Sequence, residues 1–162
     1  MSEERTNTNQ LINQSTIYQI LENVTDPEIP VISVTDLGIV RDVLITDDFV
    51  EVIITPTYSG CPAMLEIEKD IHNALKKEGI DHFKITTVLS PAWTTEWMTE
   101  EGKQKLKAYG IAPPNPTNPE DIECPQCGSK NTQLLSEFGS TACKSLFKCN
   151  DCLEPFDYFK CH

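Results

Sequence analysis

The sequence predicts a small α/β domain with a three-stranded sheet, followed by a cysteine-rich β-ribbon, and three observations carry that division. Six of the seven cysteines fall between Cys124 and Cys161, leaving Cys61 alone in the first 120 residues. Ala112-Pro113-Pro114-Asn115-Pro116-Thr117-Asn118-Pro119 sets four prolines in seven residues, which removes backbone donors and favours an extended, semi-rigid spacer. Helical and strand-like hydrophobic periods alternate before that stretch, whereas only short strand-like runs follow it. The expected organisation is a disordered leader over 1–14, an α/β module over 15–111, a proline-rich linker over 112–121 and the ribbon over 122–162.

Each element follows from local pattern. Thr16 with Gln19 forms a capping box, and Ile17, Ile20, Leu21 and Val24 continue at helical spacing until Asp26-Pro27 stops the helix. Residues 40–45 and 49–55 are β-rich runs on either side of Thr46-Asp47-Asp48, a hairpin signal. Pro62 opens a second helix whose buried stripe is Met64, Ile67, Ile71, Ala74 and Leu75, with Gly79 as its left-handed stop. Phe83, Ile85, Thr87 and Leu89 alternate as a third strand. Thr99 caps a last helix through Glu100 and Glu101 to Tyr109, ended by Gly110. This α-β-β-α-β-α order describes a three-stranded sheet covered on one face by helices. In the ribbon, residues 132–138, 144–148 and 156–160 read as three short strands.

The 162 residues carry 25 acidic and 13 basic side chains, a net charge of -12, and acidic residues prevail on both sides of the spacer. Such a surface repels phosphate backbones and anionic lipid, which argues against nucleic-acid and membrane partners. The longest apolar runs, such as residues 50–54, fall far short of the roughly 20 residues that span a bilayer. Residues 1–13 are acidic and amide-rich where a secretory signal needs a basic start and an apolar centre, so a cytoplasmic chain is expected. Thiols stay reduced there, and the cysteines read as metal ligands, reactive thiols or small buried hydrophobes.

Cys124-Pro125-Gln126-Cys127 and Cys149-Asn150-Asp151-Cys152 are two Cys-x-x-Cys knuckles 21 residues apart. Each knuckle lets two thiolates bite one ion, and four thiolates at about 2.3 Å close the tetrahedral shell of structural zinc. A catalytic or redox iron site and unmetallated buried thiols are the competing readings. Some 40 residues bury too little apolar surface to fold alone, so the metal is expected to supply stability. Cys143, Cys161 and His162 remain as a candidate second, labile site for iron or an iron–sulfur cluster, against a reading as strand filler and frayed end.

Cys61 lies where a strand gives way to a helix, in Thr57-Tyr58-Ser59-Gly60-Cys61-Pro62, where helix-start N–H groups stabilise a thiolate. It is therefore a candidate reactive thiol or transient metal ligand, with buried packing as the alternative. A Cys-His nucleophile would need His72 or His82 brought in by the fold, and His72 reads as solvated. Asp26, Glu28 and Asp36 cluster on one loop and are candidate ligands for a hard cation or iron, although turns and caps use the same residues. Trp93 and Trp97 follow the third strand as core, lid or partner-facing aromatics.

Asp26-Pro27-Glu28-Ile29-Pro30-Val31, Val34-Thr35-Asp36-Leu37-Gly38, Thr57-Tyr58-Ser59-Gly60-Cys61-Pro62, Trp93-Thr94 and Gly110-Ile111-Ala112-Pro113-Pro114 together resemble the small domain of iron–sulfur cluster assembly factors. With Gly139-Ser140-Thr141-Ala142-Cys143-Lys144, the second knuckle and the run from Pro155 to His162, the chain resembles the D-subunit family of bacterial ring 1,2-phenylacetyl-CoA epoxidases, over about residues 15–162. The resemblance implies an accessory role in aerobic phenylacetate degradation. It implies as partners the epoxidase's oxygenase, with a di-iron carboxylate centre, and its reductase, with flavin and a [2Fe–2S] cluster; a second copy of the chain is a further candidate. No Glu-x-x-His pair on a long helix and no glycine-rich nucleotide loop occur, so catalysis by the chain itself is not expected. Within that role, the leading expectation is assembly or repair of the epoxidase's iron or iron–sulfur centre, with structural zinc in the ribbon and iron or a cluster bound transiently. The alternatives are a structural subunit or electron-transfer adaptor and, more remotely, a thiol enzyme using Cys61.

Overall fold

The computed structural model describes residues 12–47, 49–58, 60–114, 121–139, 141 and 143–160. Helix α1 (Gln14–Leu21) is capped by Asn13, whose Oδ1 accepts the Thr16 N–H at 2.9 Å. The cap therefore sits one turn before Thr16, the residue expected there, and the helix starts inside the stretch read as leader. Asn13 offers the same kind of short polar acceptor, and the Thr16 hydroxyl turns back to it at 3.1 Å.

Strands β1 (Val40–Thr46) and β2 (Phe49–Ile54) pair antiparallel through a turn at which Asp47 takes a positive φ of 51°. Helix α2 (Ala63–Lys77) then carries the chain over the sheet to β3 (Phe83–Thr87), which pairs parallel with β2 and completes the order β1-β2-β3. Val43, Val50, Val52 and Ile54 point to one face, where Ile17 and Leu21 of α1 and Met64, Ile67, Ile71 and Leu75 of α2 close the core over them. The strand period of two and the helix period of 3.6 thus meet in one cluster, each fully buried side chain contributing about 2 kcal/mol of transfer free energy. On the other face Glu51 pairs with Lys84 at 3.5 Å and accepts the Thr86 hydroxyl at 2.8 Å. This is the one-sided α+β sheet expected from the sequence.

A single 3₁₀ turn, Thr95–Trp97, leads into α3 (Glu100–Ala108), capped as expected by Thr99, whose hydroxyl accepts the Gly102 N–H at 2.9 Å. Gly38, at φ 74°, lets the 3₁₀ turn approach the loop before β1: a Cβ there would press on the Trp97 carbonyl and lie 2.7 Å from its Cβ.

The ribbon contains one strand more than expected. Strands β4 (Ile111–Ala112), β5 (Thr132–Ser136), β6 (Lys144–Cys149) and β7 (Pro155–Phe159) form a sheet in the order β4-β7-β6-β5, with β4 parallel to β7. Ala112, the first residue of the stretch read as spacer, pairs with Tyr158, while residues 115–120 lie outside the described residues. Ile111 and Phe159 belong to the core of the α/β part, and Phe159 meets Trp93 edge to face at 6.0 Å between ring centroids. The two parts are joined by a shared core as well as by the chain.

Candidate metal centre and thiol junction

Two sites emerge, one inside the ribbon and one where the ribbon meets the α/β part. In the ribbon, the Sγ atoms of Cys124, Cys127, Cys149 and Cys152 all lie within 4.8 Å of one another. Cys124 and Cys152 are 3.7 Å apart and Cys127 and Cys149 are 3.6 Å apart. A tetrahedral ion with metal–sulfur bonds of about 2.3 Å needs sulfur–sulfur edges of about 3.8 Å, so the donor set fits such an ion. The knuckle turns create this geometry: Gly128 N–H donates to the Cys124 carbonyl at 2.9 Å with Gly128 at φ 77°, and Cys152 N–H points at Cys149 Sγ at 3.4 Å. That backbone donor is the main cause that lowers the Cys149 thiol to about 7. Cys124 and Cys149 are themselves buried in the ribbon's small core with Ala112, Ile122 and Phe156.

The junction site begins with the loop that follows α1. Thr25 and Ser33 bridge antiparallel and the Asp26 N–H donates to the Ile32 carbonyl at 2.9 Å, closing residues 26–32 into a loop. Asp26 Oδ1 accepts the N–H groups of Glu28 and Ile29 at 2.8 and 2.9 Å, which holds the turn and leaves Glu28 exposed at its tip. Burial raises the Asp26 carboxyl despite those two donors.

Cys61 stands two residues ahead of the first residue of α2, its N–H donating to the Tyr58 carbonyl at 3.2 Å and its carbonyl accepting from Met64 at 3.2 Å. Burial, and then the neighbouring Cys61, Cys143 and Glu28 groups, push the Tyr58 hydroxyl up to about 12. Tyr58 also lines a cleft of about 430 Å³ with Thr55, Thr57, Leu89 and Trp93.

Cys143 arrives from the other side. The Lys160 N–H donates to its carbonyl at 2.9 Å, so the end of β7 fixes the residue that leads into β6. Its Sγ lies 3.1 Å from the Thr141 hydroxyl and 3.6 Å from Glu28 Oε2. Burial, and then the Glu28 and Asp26 carboxylates, raise the Cys143 thiol to about 11.

The structure therefore brings Cys143 against Glu28, whose turn Asp26 holds, and leaves Cys61 at the start of α2 with its N–H on the Tyr58 carbonyl. Among the described residues only the four ribbon thiols have metal-ligand spacing, and Asp36 is placed in other work. Asp36 is buried and accepts Ser33 N–H, Thr99 Oγ1–H and the Lys105 ammonium, the last at 2.7 Å, tying the loop to α3. Cys161 and His162 lie outside the described residues. His72 is exposed and meets Phe83 edge to face at 5.1 Å, and Trp93 is buried with its indole N–H on the Leu37 carbonyl at 2.8 Å. Sequence reasoning missed Tyr58 as a site residue, although its place three residues before Cys61 is the spacing of a tight turn. Among the described residues no helix is long and apolar enough to cross a membrane.

The iron-sulfur cluster assembly protein family matches residues 14–88, and the PaaD zinc beta ribbon domain matches residues 113–160. A protein of Escherichia coli strain K12, named as the D subunit of a "Putative 1,2-phenylacetyl-CoA epoxidase", is 46% identical over 150 residues, covering 90% of this chain and 91% of that protein. An "Fe-S protein maturation auxiliary factor" of Porphyromonas gingivalis is 37% identical over 92 residues, 56% of this chain and 87% of its own length. Among solved structures, a domain of unknown function from Bacillus anthracis superposes with a TM-score of 0.54 at 28% identity, over 57% of this chain and 90% of that chain. A conserved hypothetical protein of Thermotoga maritima gives 0.51 at 33% identity, over 59% and 94%. Matched by both domain families in order and nearly end to end by the E. coli protein, the chain belongs to the family of 1,2-phenylacetyl-CoA epoxidase D subunits.

Proposed function

We propose that the chain is a cytoplasmic accessory protein of aerobic phenylacetate degradation that assists assembly or repair of the iron or iron–sulfur centre of phenylacetyl-CoA epoxidase. The observation that carries this reading is the place of Cys61, half-buried just ahead of α2 with its N–H on the Tyr58 carbonyl, on a scaffold whose relatives include an iron–sulfur maturation factor. Iron here is cargo, and Cys61 is a transient ligand: a single half-buried thiol at a helix start can take up a soft ion and release it. The ribbon cysteines Cys124, Cys127, Cys149 and Cys152 hold zinc. Four thiolates leave no open position on the ion, so zinc contributes folding energy there and no chemistry. The oxygenase and reductase subunits of the epoxidase are the partners this role requires.

The rival reading, a structural or electron-transfer adaptor within the epoxidase, draws on the ribbon's outer surface, where Leu134, Leu135, Phe138 and Leu153 are exposed. A Cys61→Ala strain separates the two. The variant chain folds and keeps its zinc, since removing one sulfur from a turn costs at most a few kcal/mol. Epoxidase purified from that strain is deficient in iron or cluster, and reconstitution with iron and sulfide restores it. Metal-replete epoxidase with lowered activity would favour the adaptor, and full iron with full activity would sink the maturation role.

A further inference from the structure

We propose that the free edge of β3, with the groove between it and α2, is a docking site for an extended acidic segment of a partner protein, which adds to the sheet as a further strand. Such a site serves either reading of the function, maturation or adaptor. In the parallel pairing of β2 with β3, the His82 carbonyl accepts the Val50 N–H at 3.0 Å and the Val88 N–H donates to the Ile54 carbonyl at 2.9 Å. Ladder bonds alternate along a strand, so residues 82, 84, 86 and 88 bond toward β2, and the backbone groups of Phe83, Ile85 and Thr87 point away from it. β3 ends the sheet, and no described residue pairs with that outer edge. The opposite edge is guarded: the Gln14 side-chain amide donates to the Val43 carbonyl of β1 at 2.7 Å, and β1 is bulged between Val40 and Asp42.

A groove of about 400 Å³ runs beside the open edge, lined by Leu65, Lys69 and His72 of α2 and by Phe83, Lys84 and Ile85 of β3. Leu65 stands 78% exposed there, whereas Met64, Ile67, Ile71 and Leu75 of the same helix are buried. A strand laid along β3 alternates its side chains, one set toward α2 and the other onto the open sheet face beside Lys84. Apolar residues suit the first set, which meets Leu65 and the Phe83 ring, itself edge to face with His72. Carboxylates suit the second set, because Lys84 has only an exposed pair with Glu51 at 3.5 Å, an interaction worth little in water. Lys69 is as loosely held, 4.0 Å from Glu66, and Glu68, the acid in the groove, is engaged by the Thr87 hydroxyl at 2.9 Å. In a chain of net charge -12, the groove thus joins two available lysines to an apolar floor. A second copy of the chain fits it less well, since its own β3 brings a lysine and no carboxylate to Lys84.

The test uses the full chain with its ribbon loaded with zinc, titrated with a capped peptide of alternating valine and glutamate while amide shifts are followed by NMR. The amides of Phe83, Ile85 and Thr87 and the methyl groups of Leu65 are expected to move. A valine–lysine peptide should bind about fivefold more weakly, the scale of one cross-strand charge pair. Lys84→Glu should reverse that preference and Leu65→Ser should weaken both peptides; both side chains are exposed, so the variants keep the fold. N-methylation of alternate peptide amides should abolish binding in one of the two registers, because only one set of N–H groups meets β3. Absence of binding, shifts confined to residues outside α2 and β3, equal affinity for the lysine peptide, or indifference to N-methylation in both registers would overturn the docking site. So would a dimer in sedimentation that Leu65→Ser abolishes, which would assign the groove to a second copy. The maturation role is judged separately, by the iron content of epoxidase from the Cys61→Ala strain.

Discussion

Asp36 is buried, and both of its carboxylate oxygens are engaged, Oδ1 with the Thr99 hydroxyl and Oδ2 with the Ser33 N–H and the Lys105 ammonium. Burial alone would raise this carboxyl, but the Lys105 ammonium and the Ser33 donors outweigh it and hold Asp36 below the usual carboxylate range. A depressed folded pKa means that the interaction stabilises in full above the unfolded value of about 4 and is lost as pH falls through the folded pKa. Asp36→Asn is therefore expected to cost about 2 kcal/mol near neutral pH, the scale of a hydrogen bond to a charged group. The difference from the parent should narrow below pH ~4, read by urea unfolding at pH 7 and pH 3. Asp26, raised by burial, works in the opposite direction, but it is present in both chains and cancels from the difference. A gap that stays constant with pH would assign the loss to packing around Ser33 and Gly102 instead. The same contrast separates the carboxylates as ligand candidates: Asp36 is spent on architecture, and Glu28 keeps a free end beside Cys143.

At the scale of elements, the ribbon has a core too small to stand without its ion. Of the five residues that form its core among the described residues, Ala112, Ile122, Cys124, Cys149 and Phe156, two are themselves candidate metal ligands. Without the ion, two thiols are left buried in a cluster that Phe147 and Tyr158 only partly cover. Cys149→Ser is therefore expected to reduce zinc from one ion per chain to none and to abolish hydrogen-exchange protection in β5, β6 and β7, while α1, α2 and β1 to β3 keep theirs. Full protection of the β6 amides in a zinc-free chain would show that the ribbon folds on packing alone. The elements best read from the sequence are those with a long local period: the α2 stripe of Met64, Ile67, Ile71 and Leu75 and the alternation of Val50, Val52 and Ile54 are both observed. What escaped was non-local. Strand β4 is two residues long and exists because Ile111 and Ala112 pair with Asp157 and Tyr158, more than forty positions away, which no local pattern reports. The start of α1 moved because Asn13 and Thr16 are both competent caps one turn apart. The approach of Cys143 to Glu28 spans 115 positions and depends on how two sheets pack, so the spacing of cysteines could name the ligands but not bring these two residues together.

At the scale of the whole molecule, the bond between the two halves runs through Trp93. Its ring is buried, its indole N–H is held by the Leu37 carbonyl, and its neighbour across the junction is Phe159 at the end of β7. Phe159 is positioned by the ladder from β7 to β6, and β6 ends at Cys149, so the metal centre and the Trp93 face are two ends of one sheet. Cys143 leads into β6, which makes the same sheet the carrier of the thiol that faces Glu28. Loss of the ribbon metal should accordingly be felt at Trp93 and not only in the ribbon. In a Trp97→Phe background, where Trp93 is the remaining tryptophan, chelation of zinc is expected to shift its emission to the red as Phe159 withdraws and water reaches the ring. Added zinc should reverse the shift, with stability rising about 1.4 kcal/mol for each tenfold excess of free ion over its dissociation constant. If chelation melts the ribbon strands and leaves Trp93 emission unmoved, the shared core does not transmit the metal state, and the thiol of Cys143 would have to be held against Glu28 by contacts other than the β6–β7 ladder.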